Sequence, residues 1–227
     1  MINLYNSDYL EILPSIKDKS IDLLLTDPPY LAVKGGCKSR FAKGVRSKDN
    51  PIIESMSDFG EEQINIFLNA VKPKMKVFNA YIFCSRLQVP YYLNWAIANK
   101  LNFDILIWDK LNYGLISRVH FNQGIEYIIR INKKGLKQLE NKTEYYQKIK
   151  KYKRIIKKQH PAEKPIDLLK EFIELSSNEN DIILDPFMGS GSTGVASLDL
   201  NRNYIGIELN ERYFDIAENR LSVVNNG

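Results

Sequence analysis

Cysteine, histidine and long apolar runs are all scarce in this sequence. Cys37 and Cys84 are the only cysteines among 227 residues, and there are two histidines. Two cysteines this far apart do not form a metal knuckle, so we expect no metal site, and Cys84 in the apolar run 81–84 predicts a buried free thiol. No apolar run approaches the roughly 20 residues that cross a bilayer. Residues 1–8 lack the features of a secretory signal, so we expect no membrane segment and a cytoplasmic location.

Internal repeats and Gly/Ser linkers are also absent, and 227 residues suffice for one main domain. Short apolar runs alternate with amphipathic segments, which is typical of an α/β fold with parallel strands and crossover helices. Seven strands are predicted over 2–5, 21–26, 77–84, 103–108, 125–131, 181–184 and 204–207. Helices are predicted over 9–13, 61–75, 87–99, 166–176, 192–200 and 211–223.

The net charge of +5 is modest but unevenly distributed. Residues 133–158 hold eleven lysines and arginines against two glutamates, and residues 34–48 hold six cations and no acid, so the rest of the chain is acidic. Two cationic segments in an otherwise acidic protein indicate contact with a polyanion. Segment 144–156 interleaves tyrosines with lysines, which predicts a basic helix that contacts phosphates and bases. A solvated surface is the alternative for both segments.

A glycine-rich loop, Asp185-Pro186-Phe187-Met188-Gly189-Ser190-Gly191-Ser192-Thr193, follows the predicted strand 181–184. Its glycines let a ligand approach the backbone at the start of a helix. The letters from Gly189 to Gly194 also satisfy the dinucleotide pattern G-x-G-x-x-G, with Glu208 placed to bind ribose hydroxyls, so a nicotinamide enzyme is one alternative. A plain strand-to-helix turn is another.

Two features favour a methyl donor over a dinucleotide at this loop. The carboxylate of Asp185 would repel a pyrophosphate, whereas it would attract the ammonium and sulfonium groups of S-adenosyl-L-methionine (SAM). Only residues 209–227 follow Glu208, too few for the remaining strands of a dinucleotide fold unless the order is permuted. We therefore expect the loop to bind SAM.

A second motif, Asp27-Pro28-Pro29-Tyr30, follows the predicted strand 21–26. The two prolines make the loop stiff, because each fixes its own φ and restrains the preceding residue. An exocyclic base amine is a weak nucleophile, and the Asp27 carboxylate and the Pro28 carbonyl would accept its hydrogens and stabilise charge developing on the nitrogen. Tyr30 would supply an aromatic face for a base taken out of the duplex stack. Together the two motifs predict methyl transfer to a base amine, at the sheet edge where ligands bind.

These motifs resemble those of the amino-methyltransferases that act on adenine N6 or cytosine N4 of DNA, in the permuted group whose catalytic motif precedes the cofactor motif. The resemblance covers most of the chain and includes segments 6–8, 160–165 and 203–210. Segments 106–110 and 123–127 resemble strands beside the target pocket of the family, or are ordinary core strands. The resemblance implies a Rossmann-like methyltransferase fold with helices on both faces of a seven-stranded, mostly parallel sheet. One antiparallel strand is expected, in a hairpin formed by 103–108 and 125–131.

The resemblance also implies three regions and a set of site residues. Residues 1–131, with a basic loop at 31–58, form the catalytic half, residues 132–159 a short basic recognition insertion, and residues 160–227 the cofactor-binding half. The catalytic residues are Asp27, Pro28, Pro29 and Tyr30. The expected SAM-binding residues are Asp8, Asp27, Lys164, Asp185, Pro186, Phe187, Gly189, Ser190, Gly191, Ser192, Thr193 and Glu208. Charge assigns DNA contacts to Lys34, Lys38, Arg40, Lys43, Arg46, Lys150, Lys151, Lys153 and Arg154.

In the family that these motifs resemble, Asp rather than Ser at the head of the catalytic motif favours adenine, so the resemblance implies methylation of adenine N6 in double-stranded DNA. Methylation of cytosine N4, an RNA or protein acceptor, and a non-catalytic nucleic-acid-binding protein with this fold are the alternatives. The insertion at 132–159 is short for a full specificity domain. We therefore expect a short or degenerate target, or help from a second copy of the chain in a homodimer. A nucleoid-associated protein of bacterial or phage type would fit this description.

Overall fold

One mixed sheet forms the centre of the protein in the computed structural model, which describes residues 1–30, 59–112, 124–136, 143–155 and 163–225. Within these residues the sheet has eight strands in the order β1-β8-β7-β2-β3-β5-β4-β6. Strand β5 runs antiparallel to its neighbours β3 and β4, and the other neighbouring strands pair in parallel. The strands are β1 Ile2–Asn6, β2 Leu23–Thr26, β3 Asn79–Cys84, β4 Asn102–Asp109, β5 Ile125–Asn132, β6 Ile149–Lys151, β7 Ile182–Asp185 and β8 Asn203–Glu208.

Six α-helices occur in the described residues, each at a place where the sequence predicts one. Short 3-10 helices follow α1 and α2, and the second of them contains Pro73. None of the described helices is both long and apolar enough to cross a bilayer. The helices are α1 Tyr9–Ile12, α2 Glu61–Val71, α3 Val89–Ala98, α4 Ile166–Ser176, α5 Ser192–Asp199 and α6 Glu211–Asn225.

The predicted hairpin is confirmed, since β4 and β5 pair antiparallel from Asn102↔Asn132 to Asp109↔Ile125. The predicted basic helix over 144–156 is wrong. A short 3-10 helix, Thr143–Tyr146, is followed by the additional strand β6, which pairs in parallel with β4. The physical reason is the edge of β4, whose unpaired backbone groups need partners. Ile107 N donates to Lys148 O over 2.8 Å, and Tyr152 N donates to Asp109 O over 3.3 Å.

Both faces of the sheet are covered, which explains the uninterrupted apolar run of β2. Leu24 belongs to a core that packs against α2 and α3, whereas Leu23 and Leu25 belong to a second core that packs against α4, α5 and α6. All three leucines are fully buried. Strands with helices on both faces are expected to be apolar at every position.

The strand order of the sheet reverses between the adjacent strands β2 and β7. These two strands are parallel neighbours, with Leu24 beside Leu184. From β2 the chain proceeds through α2 to β3 on one side, and from β7 it proceeds through α5 to β8 on the other. A crevice opens at the carboxyl ends of strands where such a reversal occurs. The two predicted motifs directly follow β2 and β7, so they meet at this crevice.

Candidate active site

A cavity of about 370 Å³ lies at the carboxyl ends of β2 and β7. All four residues predicted to be catalytic line it, and so do all the residues predicted to bind SAM except Gly191. Thr26, the last residue of β2 and the residue before Asp27, donates from Oγ1 to Asp185 Oδ1 over 2.7 Å, which places the two motifs side by side. Two predictions made from segments far apart in the chain therefore converge on one cavity.

The glycine-rich loop bends sharply between β7 and α5. Gly191 has φ +78° directly before α5, and a Cβ atom there would lie 3.2 Å from Cβ of Ala217. Gly191 therefore makes the turn instead of lining the cavity. Gly206 on β8 lies beneath the loop, and a Cβ atom there would lie 2.5 Å from Sδ of Met188. Both positions favour glycine, for its backbone freedom and for its lack of a side chain respectively.

The two carboxylates at the ends of β7 and β8 hold this loop in place. Asp185 Oδ1 accepts from Phe187 N over 3.2 Å, and burial raises the pKa of Asp185 to about 7. Glu208 accepts from Gly189 N over 2.9 Å and from Asn210 N over 2.8 Å, and burial raises its pKa as well. Asp8, just after the end of β1, caps α1 by accepting from Leu10 N over 2.8 Å.

Two acceptors without partners among the described residues lie in the loop Asp27-Pro28-Pro29-Tyr30, the predicted catalytic loop, whose Asp27 and Pro28 line the cavity. Asp27 Oδ2 forms an ion pair with Lys164 Nζ over 2.6 Å, but Oδ1 is buried and has no hydrogen-bond partner among the described residues. The carbonyl oxygen of Pro28 likewise has no hydrogen-bond partner in the described part of the chain. Burial raises the pKa of Asp27 against the effect of Lys164. A buried acceptor without a partner is costly, so this pair is suited to a ligand that brings its own donors.

The carbonyl oxygen of Pro29, the next residue in the loop, already has a hydrogen-bond partner. Gln88 is fully buried, and its Nε2 donates to the carbonyl oxygens of Pro29 and Phe59, each over 2.9 Å. Its Oε1 accepts from Ser85 N and Ser85 Oγ. Gln88 therefore fixes the loop after Pro28. It gives the Pro29 carbonyl a hydrogen-bond partner and leaves the Pro28 carbonyl without one among the described residues. No motif in the sequence identifies this glutamine, because its partners in the loop are distant in the chain.

A chain of charges lies behind Asp27 and links four segments of the fold. Lys164 Nζ, which also pairs with Asp27, lies 3.0 Å from Glu126 Oε2, and Lys110 Nζ lies 2.6 Å from Glu126 Oε1. Burial alone would raise the pKa of Glu126, but Lys164 and Lys110 outweigh it and lower the pKa to about 2. Burial would lower the pKa of Lys164, but Asp27 and Glu126 outweigh it and raise the pKa. Both shifts favour the charged forms, an anionic Glu126 and a cationic Lys164.

An aromatic wall forms one side of the cavity. Phe187 packs against Tyr9 with a ring-centroid distance of 4.9 Å and against Phe59 at 5.5 Å. Phe67 on α2 lies behind them, 5.3 Å from Phe187. Of these residues, the sequence identifies only Phe187, within its motif. Tyr9 directly follows the predicted segment 6–8, whereas Phe59 has no signal in the sequence.

The predicted DNA contacts lie partly outside the described residues. Lys34, Lys38, Arg40, Lys43 and Arg46 all fall in 31–58. Lys151, the last residue of β6, and Lys153 just beyond it are exposed. Arg154 is anchored by its backbone N–H, which donates to Asn112 Oδ1 over 2.8 Å.

The prediction for Lys150 needs correction. The alternation of β6 directs its side chain inward, where it is 3% exposed and paired with Glu171 of α4. A lysine held there does not reach a phosphate, so we assign Lys150 a structural role.

Among the described residues, no cysteine lines the cavity. Cys84 on β3 is a buried free cysteine, and burial raises the pKa of its thiol. Cys37 and His120 lie outside the described residues. Across the described part of the chain, no three His, Cys, Asp or Glu side chains are grouped to hold a metal ion.

Comparison with known proteins identifies one family. A family model described as DNA methylase, covering N6 and N4 methyltransferases, matches residues 21–219. Type II methyltransferase M2.LlaDCHI of Lactococcus lactis subsp. cremoris is 31% identical over 96% of this chain and 88% of its own length. Type II methyltransferase M.HinfI of Haemophilus influenzae is 31% identical over 94% of this chain, which spans 66% of that protein. The crystal structure of an M1.HpyAVI–SAM complex is 27% identical and superposes with a TM-score of 0.73, covering 97% of this chain and 100% of that one.

Proposed function

Because this chain belongs to the DNA methylase family of N6 and N4 amino-methyltransferases, we propose that it transfers a methyl group from SAM to N6 of adenine in double-stranded DNA. The observation that carries the proposal is a pair of acceptors without partners among the described residues, the buried Asp27 Oδ1 and the Pro28 carbonyl, on two residues that line the same cavity as the glycine-rich loop. Two acceptors match the two hydrogens of an exocyclic amine.

The residues at the ends of β7 and β8 fit SAM. The glycine-rich loop gives the ligand access to the backbone, Glu208 offers a carboxylate to ribose hydroxyls, and the aromatic wall offers apolar contact. When bound, SAM supplies an electrophilic methyl group on its sulfonium. In a related solved structure, that of M1.HpyAVI, the complex contains SAM.

The catalytic loop performs the acceptor half of the reaction. Asp27 Oδ1 and the Pro28 carbonyl accept hydrogen bonds from the amine and favour a tetrahedral nitrogen, whose lone pair is then free to react. The same oxygens stabilise the positive charge that develops on the nitrogen. Tyr30 stacks on the base once it has left the duplex. Aspartate at the head of the motif supports adenine over cytosine.

Transfer of a labelled methyl group tests this proposal. The protein is incubated with methyl-labelled SAM and duplex DNA of mixed sequence, and the nucleosides of the digested DNA are separated. We expect the label in N6-methyladenine. Label in N4-methylcytosine would overturn the choice of base, label in matched RNA but not DNA would overturn the acceptor, and SAM binding without transfer would support a non-catalytic protein.

DNA is expected to reach the cavity past the exposed cations at the carboxyl end of β6. Because β6 is parallel to β4 and, through β5, to β3 and β2, its carboxyl end lies on the same edge of the sheet as the cavity. Replacing Lys151 and Lys153 with glutamine should weaken DNA binding and reduce the slope of log K against log salt by about 0.9 for each lost phosphate contact.

The matched control replaces Lys17 and Lys19 with glutamine. These two lysines are also exposed, but they precede β2 at the opposite edge of the sheet. The salt slope of the control should equal that of the unmodified protein. An unchanged slope in the Lys151 and Lys153 variant would instead identify that segment as a solvated surface.

A further inference from the structure

We propose that Glu126 is a positioning residue for the transfer step, and this inference rests on the proposed function. Its carboxylate holds Lys164 and Tyr30 together behind the catalytic loop. Lys164 then occupies one oxygen of Asp27, so that the other oxygen is directed at the amine. Glu126 does not line the cavity and does not touch the reacting atoms; it acts through its two partners.

The contacts of Glu126 join elements that the chain separates widely. Glu126 lies near the start of β5, and Tyr30 OH donates to its Oε2 over 3.3 Å. The same Oε2 lies 3.0 Å from Lys164 Nζ, which in turn donates to Tyr30 OH over 3.4 Å. Glu126, Lys164 and Tyr30 thus form a closed triangle of polar contacts. Two of its corners are residues that the sequence assigns to the site, and Glu126 is the third.

The triangle determines which oxygen of Asp27 is free. Lys164 Nζ lies between Asp27 Oδ2 and Glu126 Oε2, at 2.6 Å and 3.0 Å respectively. With a second anion behind it, the ammonium is drawn away from the cavity and kept from bridging both oxygens of Asp27. Asp27 Oδ1 is left buried without a partner among the described residues. A neutral side chain at position 126 would let the ammonium move toward Asp27 and cover the acceptor.

Stability alone does not account for this cluster. A buried group of charges is often no more stabilising than apolar residues of similar volume, because desolvation opposes the attraction. The arrangement does supply a fixed orientation of Asp27 and Tyr30, and fixed orientation of reacting groups is a large part of catalysis. Because this cluster, unlike the Lys150–Glu171 pair, includes residues that line the cavity, we attribute a role in positioning to it.

The molecule contains a matched control for Glu126. Glu171 on α4 also pairs with a buried lysine, Lys150, and accepts from a tyrosine, since Tyr152 OH donates to Glu171 Oε2 over 2.7 Å. Its side chain is 5% exposed, against 18% for Glu126. That cluster contains no residue of the cavity. Glu126→Gln and Glu171→Gln therefore each remove a carboxylate that pairs with a lysine and accepts from a tyrosine. Glu126 belongs to the cluster that includes Asp27, whereas Glu171 belongs to a cluster outside the cavity, and its deeper burial makes the control more demanding.

The test compares methyl transfer by the unmodified protein, Glu126→Gln and Glu171→Gln at saturating DNA. We expect Glu126→Gln to lower kcat by roughly 10- to 100-fold while KM for SAM changes less than about threefold, because Glu126 does not line the cavity and the glycine-rich loop keeps its contacts. We expect kcat of Glu171→Gln to remain within about threefold of the unmodified value, even if its melting temperature falls as far as that of Glu126→Gln.

Three results would overturn the inference: equal loss of kcat in both variants, unchanged kcat in Glu126→Gln, or a rise in KM for SAM that accounts for the whole loss. If Glu126→Gln does not fold, Glu126→Asp tests the inference instead, because aspartate keeps the negative charge on a side chain that is shorter by one methylene group. A lowered kcat with unchanged SAM affinity supports positioning, and an unchanged kcat overturns it. The unmodified protein reports separately on the proposed function, since absence of transfer there overturns that proposal first.

Discussion

Replacing Asp27 with alanine is expected to lower kcat for methyl transfer by roughly 10²- to 10³-fold, the range seen when one preorganised electrostatic contact to a transition state is removed. The carboxylate supplies one of the two acceptors at the catalytic loop, and Asp27 Oδ1 has no other partner in the described residues. The dissociation constant of SAM should stay within a few-fold, because the acceptor serves the base and Lys164 retains its contact with Glu126. Equilibrium binding of labelled SAM and single-turnover transfer measure the two quantities.

Asp22 provides the control for this experiment. It directly precedes β2, whereas Asp27 directly follows it, and it pairs with Lys76 over 2.8 Å. Asp22→Ala also removes a lysine-paired carboxylate, but far from the cavity, so kcat should change by less than a few-fold. If Asp27→Ala instead loses SAM binding, Asp27 belongs to the donor site and the assignment of the two halves of the cavity is wrong.

Replacing Glu208 with glutamine is expected to weaken SAM binding and to leave kcat at saturating SAM nearly unchanged, the opposite of the result expected for Asp27→Ala. The dissociation constant of SAM should rise by roughly 10- to 100-fold, which corresponds to the loss of a charge-assisted hydrogen bond of about 1.5–3 kcal/mol. In addition, glutamine offers only one oxygen in place of the two that accept from Gly189 N and Asn210 N, so the glycine-rich loop loses support. At saturating SAM, kcat should recover to within a few-fold of the unmodified protein.

Glu211→Gln is the matched control for Glu208→Gln. Glu211 is three residues further along, exposed in the first turn of α6, and absent from the cavity. Its substitution should leave both SAM affinity and kcat unchanged. A Glu208→Gln variant with normal SAM affinity and a low kcat would assign Glu208 to the acceptor half of the site, contrary to its place beside the glycine-rich loop.

The sequence predicts the parts of the site that depend on local pattern. Each motif follows an apolar run, and the carboxyl ends of parallel strands share one edge, so the sequence alone leads us to expect Asp27 and Asp185 near each other. The fold adds that β2 and β7 are direct neighbours and that Thr26 bonds to Asp185. Strand order follows from long-range packing, and no local pattern encodes it.

The predictions fail where tertiary contacts override local preference. The composition of 144–156 indicates a basic helix, but the open edge of β4 recruits this segment as β6 and turns Lys150 inward. The roles of Gln88 and Glu126 escape prediction for a related reason. Each depends on partners such as Phe59, 29 residues from Gln88, and Tyr30, 96 residues from Glu126. A single glutamine or glutamate near an apolar stretch carries no signal of such partners.

Modified-base sequencing of DNA from a host that expresses the protein tests the central claim most directly, because it reports base, position and context together. A host that expresses Asp27→Ala is the control. We expect N6-methyladenine at a recurring sequence context in the first DNA and none at that context in the second. N4-methylcytosine at the recurring context, or no modified base despite a folded protein that binds SAM, would contradict the claim.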